Sequence, residues 1–140
     1  MARAMVMKEL HFEVKNETGL LGRIVSCLAH DGVEIIHLSA DSVENRGRLQ
    51  MITRDNAKAK KALAHFIPGV IERDVLVVEF ENKVGTLAPV AKILGNHDIG
   101  IEYVYGTSAD GFKIIGIFST SDNGRAAKLI NEMSGHKAVS

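Results

Sequence analysis

The sequence predicts an α+β protein in which one supersecondary unit, with βαββαβ order, is written twice. Three observations lead to this prediction. The segment Asn16–Leu21 recurs in altered form as Asn82–Leu87, 66 residues later. An alternating apolar segment, typical of a half-buried strand, precedes each copy, and an apolar stripe at helical spacing follows each copy. The repeat divides the chain into a first unit, residues 1–73, and a second unit, residues 74–140.

Composition indicates a soluble globular protein, with 46% hydrophobic and 24% charged residues in a chain of 140. Lysine and arginine number 17 and so do aspartate and glutamate, so no net field attracts nucleic acid or anionic lipid. No apolar run approaches the roughly 20 residues of a membrane helix. The single cysteine, Cys27, excludes an intramolecular disulfide and favours a reducing compartment. We therefore expect a cytoplasmic protein without nucleic-acid or membrane partners.

The first unit begins with a strand, Lys8 to Asn16, whose apolar residues alternate. The turn through Gly19 leads at once into a helix from Leu21 to Leu28, and Gly32 suits the left-handed position after its last turn. A second strand runs from Glu34 to Val43. Its alternation predicts one face with Ile36, Leu38 and Ala40, and an opposite face with Ile35, His37 and Ser39.

The rest of the first unit follows from turn and cap signals. Asn45-Arg46-Gly47 predicts a hairpin turn, and Leu49 to Thr53 is the predicted third strand. Asp55 is a plausible N-cap for the second helix, and Pro68-Gly69 ends that helix. Val70-Ile71 then begin a fourth strand.

The second unit repeats this order with small insertions and deletions in its loops. Its predicted elements are strand Val75–Glu81, helix Leu87–Leu94, strand Ile101–Tyr105, turn Asp110-Gly111, strand Lys113–Phe118, a helix from Asp122-Asn123, and a weak last strand, Lys137-Ala138-Val139. Because the helical stripes need a sheet beneath them, we expect two ferredoxin-like units that pair into one extended antiparallel sheet with the helices on one face.

These residues resemble the ACT domain, a small-molecule-sensing regulatory module, over nearly the whole chain and twice in register. The pattern that carries the resemblance is Asn-x-x-Gly-x-Leu followed by the helical stripe, with Val33-x-Ile35 after the first copy and Ile99-x-Ile101 after the second. ACT sequences usually place a proline before the glycine, where this chain has Thr18 and Val84.

The resemblance implies that a small ligand, most often an amino acid, binds at the seam between paired units. A glycine lets backbone approach a ligand closely, and the helix N-terminus that follows attracts a carboxylate. Strand carbonyls and the asparagine amides would bind the rest of the ligand. The expected ligand-binding residues are Asn16, Gly19, Leu20, Leu21, Ile35, Ile36, His37, Asn82, Gly85, Thr86, Leu87, Ile101, Glu102 and Tyr103.

Each of these residues also has a purely structural interpretation. Gly19 and Gly85 would be needed in a tight strand-to-helix turn even without a ligand. Asn16 and Asn82 are of a type that often bonds backbone groups within a turn. The side chains of His37 and Tyr103 could cover the sheet or form an oligomer contact.

The sequence indicates neither catalysis nor metal binding. No His-x-x-x-His or Cys-His cluster is present, and no Ser-His-Asp or Cys-His set is legible from spacing. We therefore expect no enzyme activity, no cofactor and no metal. The predicted function is that of a regulator that senses a metabolite, forms a homodimer, and acts on a metabolic enzyme or another regulator. The alternative is a ligand-free module for protein interaction or oligomerisation.

Overall fold

The computed structural model describes residues 2–108 and 110–135, and the chain divides into two compact units. The first unit is Lys8–Arg73, and the second combines Met1–Met7 with Asp74–Ser140. The elements are β1 (Arg3–Lys15), α1 (Leu20–His30), β2 (Ile35–Val43), β3 (Arg46–Thr53), α2 (Asn56–Leu63), β4 (Ile71–Glu81), α3 (Leu87–Asn96), β5 (Ile101–Thr107), β6 (Lys113–Thr120) and α4 (Asn123–Met133). The predicted α+β class, two ferredoxin-like units of antiparallel strands, is confirmed.

Strands β1 and β4 are longer than the sequence analysis predicted, and each contributes residues to both units. Residues 71–81 form one continuous strand, because no glycine or proline interrupts the chain between its two predicted parts. Residues 3–7 extend β1 and belong to the second unit. The predicted last strand, residues 137–139, lies outside the described residues.

The segment Arg3–Met7 lies at one edge of the second unit's sheet, whose strand order is β1-β4-β6-β5. Asn131, on α4 and fully buried, satisfies the backbone of this edge. Its side-chain oxygen accepts a hydrogen bond from the Ala4 N–H at 2.8 Å, and its amide donates to the Ala4 carbonyl at 2.8 Å. The helix thereby covers a strand edge that would otherwise expose unpaired backbone groups.

Each unit has its own apolar core between its helices and one face of its strands. In the first unit the strand order is β2-β3-β1-β4, with residues 71–73 of β4 at one edge, and β1 aligns with β3 so that Phe12 lies opposite Leu49. The first core contains Leu10, Phe12, Ile24, Leu28, Val33, Leu49, Met51, Ala59, Ala62, Leu63 and Ile67. The second core contains Ala2, Ala4, Leu76, Val78, Phe80, Val90, Leu94, Ile99, Phe118, Ala126, Ala127 and Ile130.

The start of the second helix in each unit repeats atom by atom. Asp55 caps α2 by accepting from the Lys58 N–H at 3.1 Å, as predicted. Asn56 also donates from its amide to the Lys8 carbonyl, at 3.0 Å. In the second unit Asp122 and Asn123 form the equivalent bonds. The repeat therefore includes the hydrogen bonds that fix each helix to its own strand.

The prediction that Gly47 belongs to the hairpin turn is wrong. The turn residues with positive φ are Glu44 (49°) and Asn45 (64°), and Gly47 lies inside β3. A Cβ at Gly47 would stand 3.3 Å from a methyl group of Val14, the residue directly opposite on β1. The glycine is thus explained by the close approach of two side chains on adjacent strands, and the turn geometry is supplied by the preceding residues.

The predicted alternation along β2 is also wrong at its beginning, because a bulge lies between Ile35 and His37. Ile35 packs against the helix-side core, so it does not share a face with His37, which lies opposite Ile52. The same bulge recurs between Ile101 and Tyr103 in β5. A bulge adds one residue to one strand and so reverses the side-chain alternation beyond it.

Candidate functional site

The turn between the first strand and the first helix adopts the same backbone conformation in both units. Gly19 has φ 85° and Gly85 has φ 84°, a left-handed conformation that glycine adopts without strain. A Cβ built at either position meets no described atom within 4 Å. Each glycine therefore borders open space that a ligand could enter.

Both helices that follow begin without a side-chain cap. In α1 the N–H of Leu20 and that of Arg23 bind the carbonyls of Glu17 and Gly19, whereas those of Leu21 and Gly22 have no acceptor among the described residues. Free N–H groups at a helix N-terminus, together with the helix dipole, favour an anion.

The equivalent turn at the start of α3 is held by Thr86. Its hydroxyl oxygen lies 2.7 Å from the Glu81 carbonyl oxygen and 3.0 Å from that of Lys83, so its single proton is donated to one of them or shared between the two. The N–H groups of Leu87 and Ala88 find no acceptor in the part of the chain that the structure describes. Pro89 supplies none, so this helix offers an anion two backbone donors as well.

A cavity of about 420 Å³ lies against the turn in the first unit. We call it the first cavity, and it is lined by Val14, Asn16, Glu17, Thr18, Gly19, Leu20, Leu21, Ile24, Ala40, Asp41, Ser42, Gly47 and Leu49. Its volume lies within the range of about 300–1,000 Å³ that is usual for small-molecule sites.

The second unit has a cavity of about 400 Å³ in the equivalent place. This second cavity is lined by Phe80, Lys83, Gly85, Thr86, Leu87, Ala88, Val104, Tyr105, Gly106, Ile114, Gly116 and Phe118. Apart from Lys83, Thr86 and Tyr105, the residues that line it are apolar.

Polar groups line the rim of the first cavity. Asn16 donates from its amide to the Ser42 hydroxyl at 3.0 Å, which joins the end of β1 to the end of β2. On the opposite face of the same strands, Arg48 binds Asp41 through two hydrogen bonds, of 3.2 and 2.6 Å. This contact holds the pKa of Asp41 below its usual value. The Asp41 carboxylate is therefore ionised at neutral pH.

Some predicted site residues line these cavities. In the first unit Asn16, Gly19, Leu20 and Leu21 surround the first cavity. In the second unit Gly85, Thr86 and Leu87 line the second cavity. Asn82 does not line it: its side chain donates to the Gly111 carbonyl at 3.1 Å and so ties the turn to the hairpin.

The predicted residues at the start of the second strand lie away from the cavity of their own unit. These residues are Ile35, Ile36, His37, Ile101, Glu102 and Tyr103. Lys15 at the end of β1 and Val43 at the end of β2 both lie beside Arg46, so the glycine turn adjoins the last residues of β2. Ile35 lies seven residue steps before Ser42 along β2. At about 3.3 Å per step, it is roughly 23 Å from the glycine-turn end of the strand.

His37 and Tyr103 lie on the face of their strand opposite the helices. Burial lowers the pKa of His37, so its imidazole is neutral at pH 7. The Tyr103 ring stacks on that of Tyr105, with 6.4 Å between ring centroids. The Tyr103 ring therefore packs against a neighbour on its own strand.

The residues that the sequence analysis missed are Ala40, Asp41 and Ser42 in the first unit and Val104, Tyr105 and Gly106 in the second. The position of the hairpin turn is a sequence signal for the residues of the first unit. The hairpin returns at Glu44-Asn45, so counting back from that turn places residues 40–42 beside the end of β1. The predicted residues at the start of β2 and β5 lie at the other end of these strands, and their part in a site between paired units stays a prediction.

Two absences hold within residues 2–108 and 110–135. No group of three or more histidine, cysteine, aspartate or glutamate residues there could hold a metal ion. No helix in those ranges is long and apolar enough to cross a membrane.

Solved structures share this fold. Protein BT0572 from Bacteroides thetaiotaomicron matches with a TM-score of 0.84 and 28% identity, over 94% of this chain and 90% of that one. The ligand-free regulatory subunit of aspartate kinase from Thermus thermophilus matches with a TM-score of 0.70 and 14% identity, over 92% and 95%. Aspartate kinase of Clostridium acetobutylicum matches with a TM-score of 0.60 and 17% identity, over 94% of this chain and 33% of that enzyme.

No curated protein matches the chain. The sequence model of a protein family does match, over residues 5–136, and its description is an ACT domain pair. It covers both glycine turns, both cavities and all four helices described above. The chain therefore belongs to the ACT domain pair family, whose domains serve ligand-binding regulation.

Proposed function

We propose that this protein reversibly binds an amino acid at its glycine turns and that this binding has a regulatory effect. The observation that carries the proposal is the repeated arrangement of an open glycine, an uncapped helix N-terminus and a cavity of about 400 Å³. A site at the seam between paired units, as in the ACT resemblance, would complete each cavity with further residues.

An α-carboxylate would be bound by the free backbone N–H groups of Leu21 and Gly22 in the first cavity. An ammonium group needs acceptors, and the rim offers the Glu17 carboxylate and the Asn16 side-chain carbonyl oxygen. Donors and acceptors thus lie on different sides of one cavity, which suits a zwitterion. The second cavity offers the same backbone donors, at Leu87 and Ala88, within a more apolar wall.

The two cavities should therefore differ in affinity and in the side chain that they accept. The polar rim of the first favours a small or polar amino acid, since an apolar side chain would leave its polar groups without partners. The second is lined by Phe80, Val104 and Phe118 and favours an apolar one. Binding at one cavity only would also be consistent with the proposal.

The output of such a protein would be a change in assembly or in a partner's activity. We propose a cytoplasmic homodimer that acts on a metabolic enzyme or on another regulator. Exposed apolar side chains on the edge strands support self-association: Leu38 on β2 is 38% exposed and Val104 on β5 is 51% exposed.

Thermal unfolding with each of the twenty amino acids tests the proposal. A ligand at 100 times its dissociation constant should add about 2.7 kcal/mol to the free energy of unfolding. For a chain of this size that corresponds to a rise of roughly 5–10 °C in Tm. If no amino acid raises the Tm, the proposal is wrong.

Calorimetry on glycine variants then locates the site. Gly19→Val should weaken binding, because its branched side chain would enter the first cavity. Gly69→Val is the matched control, since Gly69 has φ 79°, borders equally open space and does not line the cavity. Gly85→Val and Gly111→Val form the corresponding pair in the second unit. Equal affinity in all four folded variants would place the site elsewhere.

The alternative function is a ligand-free interaction module. The exposed apolar edge residues favour it as much as they favour a ligand-regulated dimer. Light scattering separates the two: an assembly that forms without any ligand and does not change with amino acids supports the alternative.

A further inference from the structure

The first unit has a second pocket on the other side of the first turn of α1. This groove has a volume of about 350 Å³ and is lined by residues of β1, β3, α1 and the segment after α2. We call it the basic groove, because three cations line it: Lys15, Arg23 and Arg46. An aromatic ring, that of Phe66, forms one wall.

Arg23 is the best-oriented of these cations. Its guanidinium carbon lies 5.7 Å from the centroid of the Phe66 ring, a cation–π contact. A guanidinium held over a ring keeps the N–H donors at its edge available for two parallel bonds to an anion. No carboxylate among the described residues pairs with Arg23.

The other charges leave the groove with a positive excess. Lys15 has no ion-pair partner in the described part of the chain, and Arg46 lies 3.9 Å from Glu13, with both side chains about half exposed. Glu13 and Glu17 also line the groove, so its three cations face two carboxylates. The net charge is +1, and the one pair present is of the weak, solvent-screened kind.

The second unit has the same pocket without these cations. That pocket, of about 370 Å³, is lined by Pro89 and Met133 at the positions equivalent to Arg23 and Phe66. Its single cation, Lys83, is already paired with Glu81 at 2.9 Å. The fold therefore produces the pocket in both units, but among the described residues only the first unit equips it with unpaired cations.

We propose that the basic groove binds a small organic anion that carries a phosphate or carboxylate group on a flat apolar body. Arg23 would bind the anionic oxygens in bidentate fashion, and Lys15 would add a second charge. The body would pack on Phe66, Ile67 and Pro68. The groove shares Val14, Glu17 and Leu20 with the first cavity, so its occupant would touch the same helical turn as an amino acid there.

Calorimetric titrations with adenosine monophosphate and with benzoate test the two anionic groups, and adenosine and inorganic phosphate test the body and the anion alone. At least one of the two organic anions should bind with a dissociation constant of about 1 mM or tighter. Adenosine monophosphate, if it is the anion that binds, should bind more tightly than adenosine and than inorganic phosphate. Failure of both organic anions to bind overturns the proposal, whereas the amino-acid screen above is unaffected by that result.

Variants show whether the groove is the site. Arg23→Gln should weaken the anion at least tenfold, while Glu13→Gln should strengthen it by freeing Arg46. Arg54→Gln is the matched control, because Arg54 is an exposed arginine of the same unit that pairs with Glu34 outside the groove. An equal loss in the Arg23 and Arg54 variants would mean unspecific attraction by charge and would also overturn the proposal.

Discussion

The two cavities have the same surrounding elements, but the large side chains of their walls stand at different positions. On the first cavity's strand wall, Leu49 is the large residue and Gly47 the small one, beside Val14 on the adjacent strand. Aligned by strand register, the second cavity has Gly116 in place of that leucine, Ile114 in place of that glycine, and Phe80 in place of the valine. The volumes remain similar, about 420 and 400 Å³.

This difference shows that the residues needed by the backbone are kept in both units, whereas the residues of the cavity wall are not. Positive φ at Gly19 and Gly85 and the caps at Asp55 and Asp122 are retained, because a turn and a helix start tolerate few residue types. Wall residues are free to exchange as long as the total volume is filled. Ligand preference can therefore diverge between the units without a change of fold.

The largest effect is expected from Leu49→Ala, which opens the wall of the first cavity. Leu49 is 4% exposed and lies in the first core, so truncation should cost about 2–5 kcal/mol in the free energy of unfolding. Urea denaturation measures this loss. A loss below about 1 kcal/mol would mean that the wall collapses around the missing side chain.

Asn131→Ala should cost about 2–4 kcal/mol, because the N–H and the carbonyl of Ala4 both lose their partner. The first unit has Ala64 at the equivalent position, and an alanine side chain cannot form these two hydrogen bonds. Urea denaturation of the variant measures the cost. Glu132→Ala, an exposed change on the same helix, serves as the control and should stay within about 0.5 kcal/mol.

Gly116→Ala should destabilise by about 1–3 kcal/mol, because its new Cβ would lie 3.0 Å from the Phe118 ring. Gly47→Ala is the matched change in the first unit, where the Cβ would meet a Val14 methyl group at 3.3 Å, and its cost should be smaller. Thermal denaturation of both variants compares them. A larger cost at Gly47 would contradict the view that the two walls tolerate added volume differently.

His11 should make stability fall as pH is lowered below about 6.5. Burial is the main cause that lowers the pKa of His11 in the folded protein. The unfolded chain therefore binds more protons in this range, and stability rises with pH. As placed, the Gln50 amide nitrogen lies 3.2 Å from Nε2, an arrangement that requires an unprotonated nitrogen.

Urea denaturation at pH 7.5 and at pH 5 checks this dependence. His11→Gln should reduce the difference in unfolding free energy between the two pH values. An unchanged difference would assign the effect to other groups, with His37 the first to be tested, since burial lowers its pKa too.

The smallest effect concerns the Arg48–Asp41 pair, which lies on the sheet face opposite the first cavity. Hydrogen bonding from Arg48 lowers the pKa of Asp41, and Arg48→Gln should raise that pKa toward its ordinary value. The second unit has Thr107 and Ile115 at these positions and thus no such pair. Carboxyl titration followed by nuclear magnetic resonance measures the change, and an unaltered Asp41 would contradict the contact.

The repeat, the fold class, the caps and the left-handed glycines could be predicted from sequence because each depends on neighbouring residues. The bulge after Ile35 could not, since it depends on how β2 aligns with β3. The neighbours of Gly47 resemble a hairpin turn, so the sequence predicts a turn glycine there. The structure shows instead that a glycine is needed because Val14 on another strand lies so close. Only the glycine-turn half of each cavity was predicted, because its strand half is determined by pairing register.

The position of Arg3–Met7 has a consequence for how the protein is made. These residues are synthesised well before their partner on α4, because Ala4 bonds to Asn131, 127 positions later in the chain. The second unit therefore gains its edge strand only after α4 has been translated, and contacts of such long sequence separation form slowly. A fragment that starts at Asp74 would lack this strand, and supplying residues 1–7 as a separate peptide should restore it.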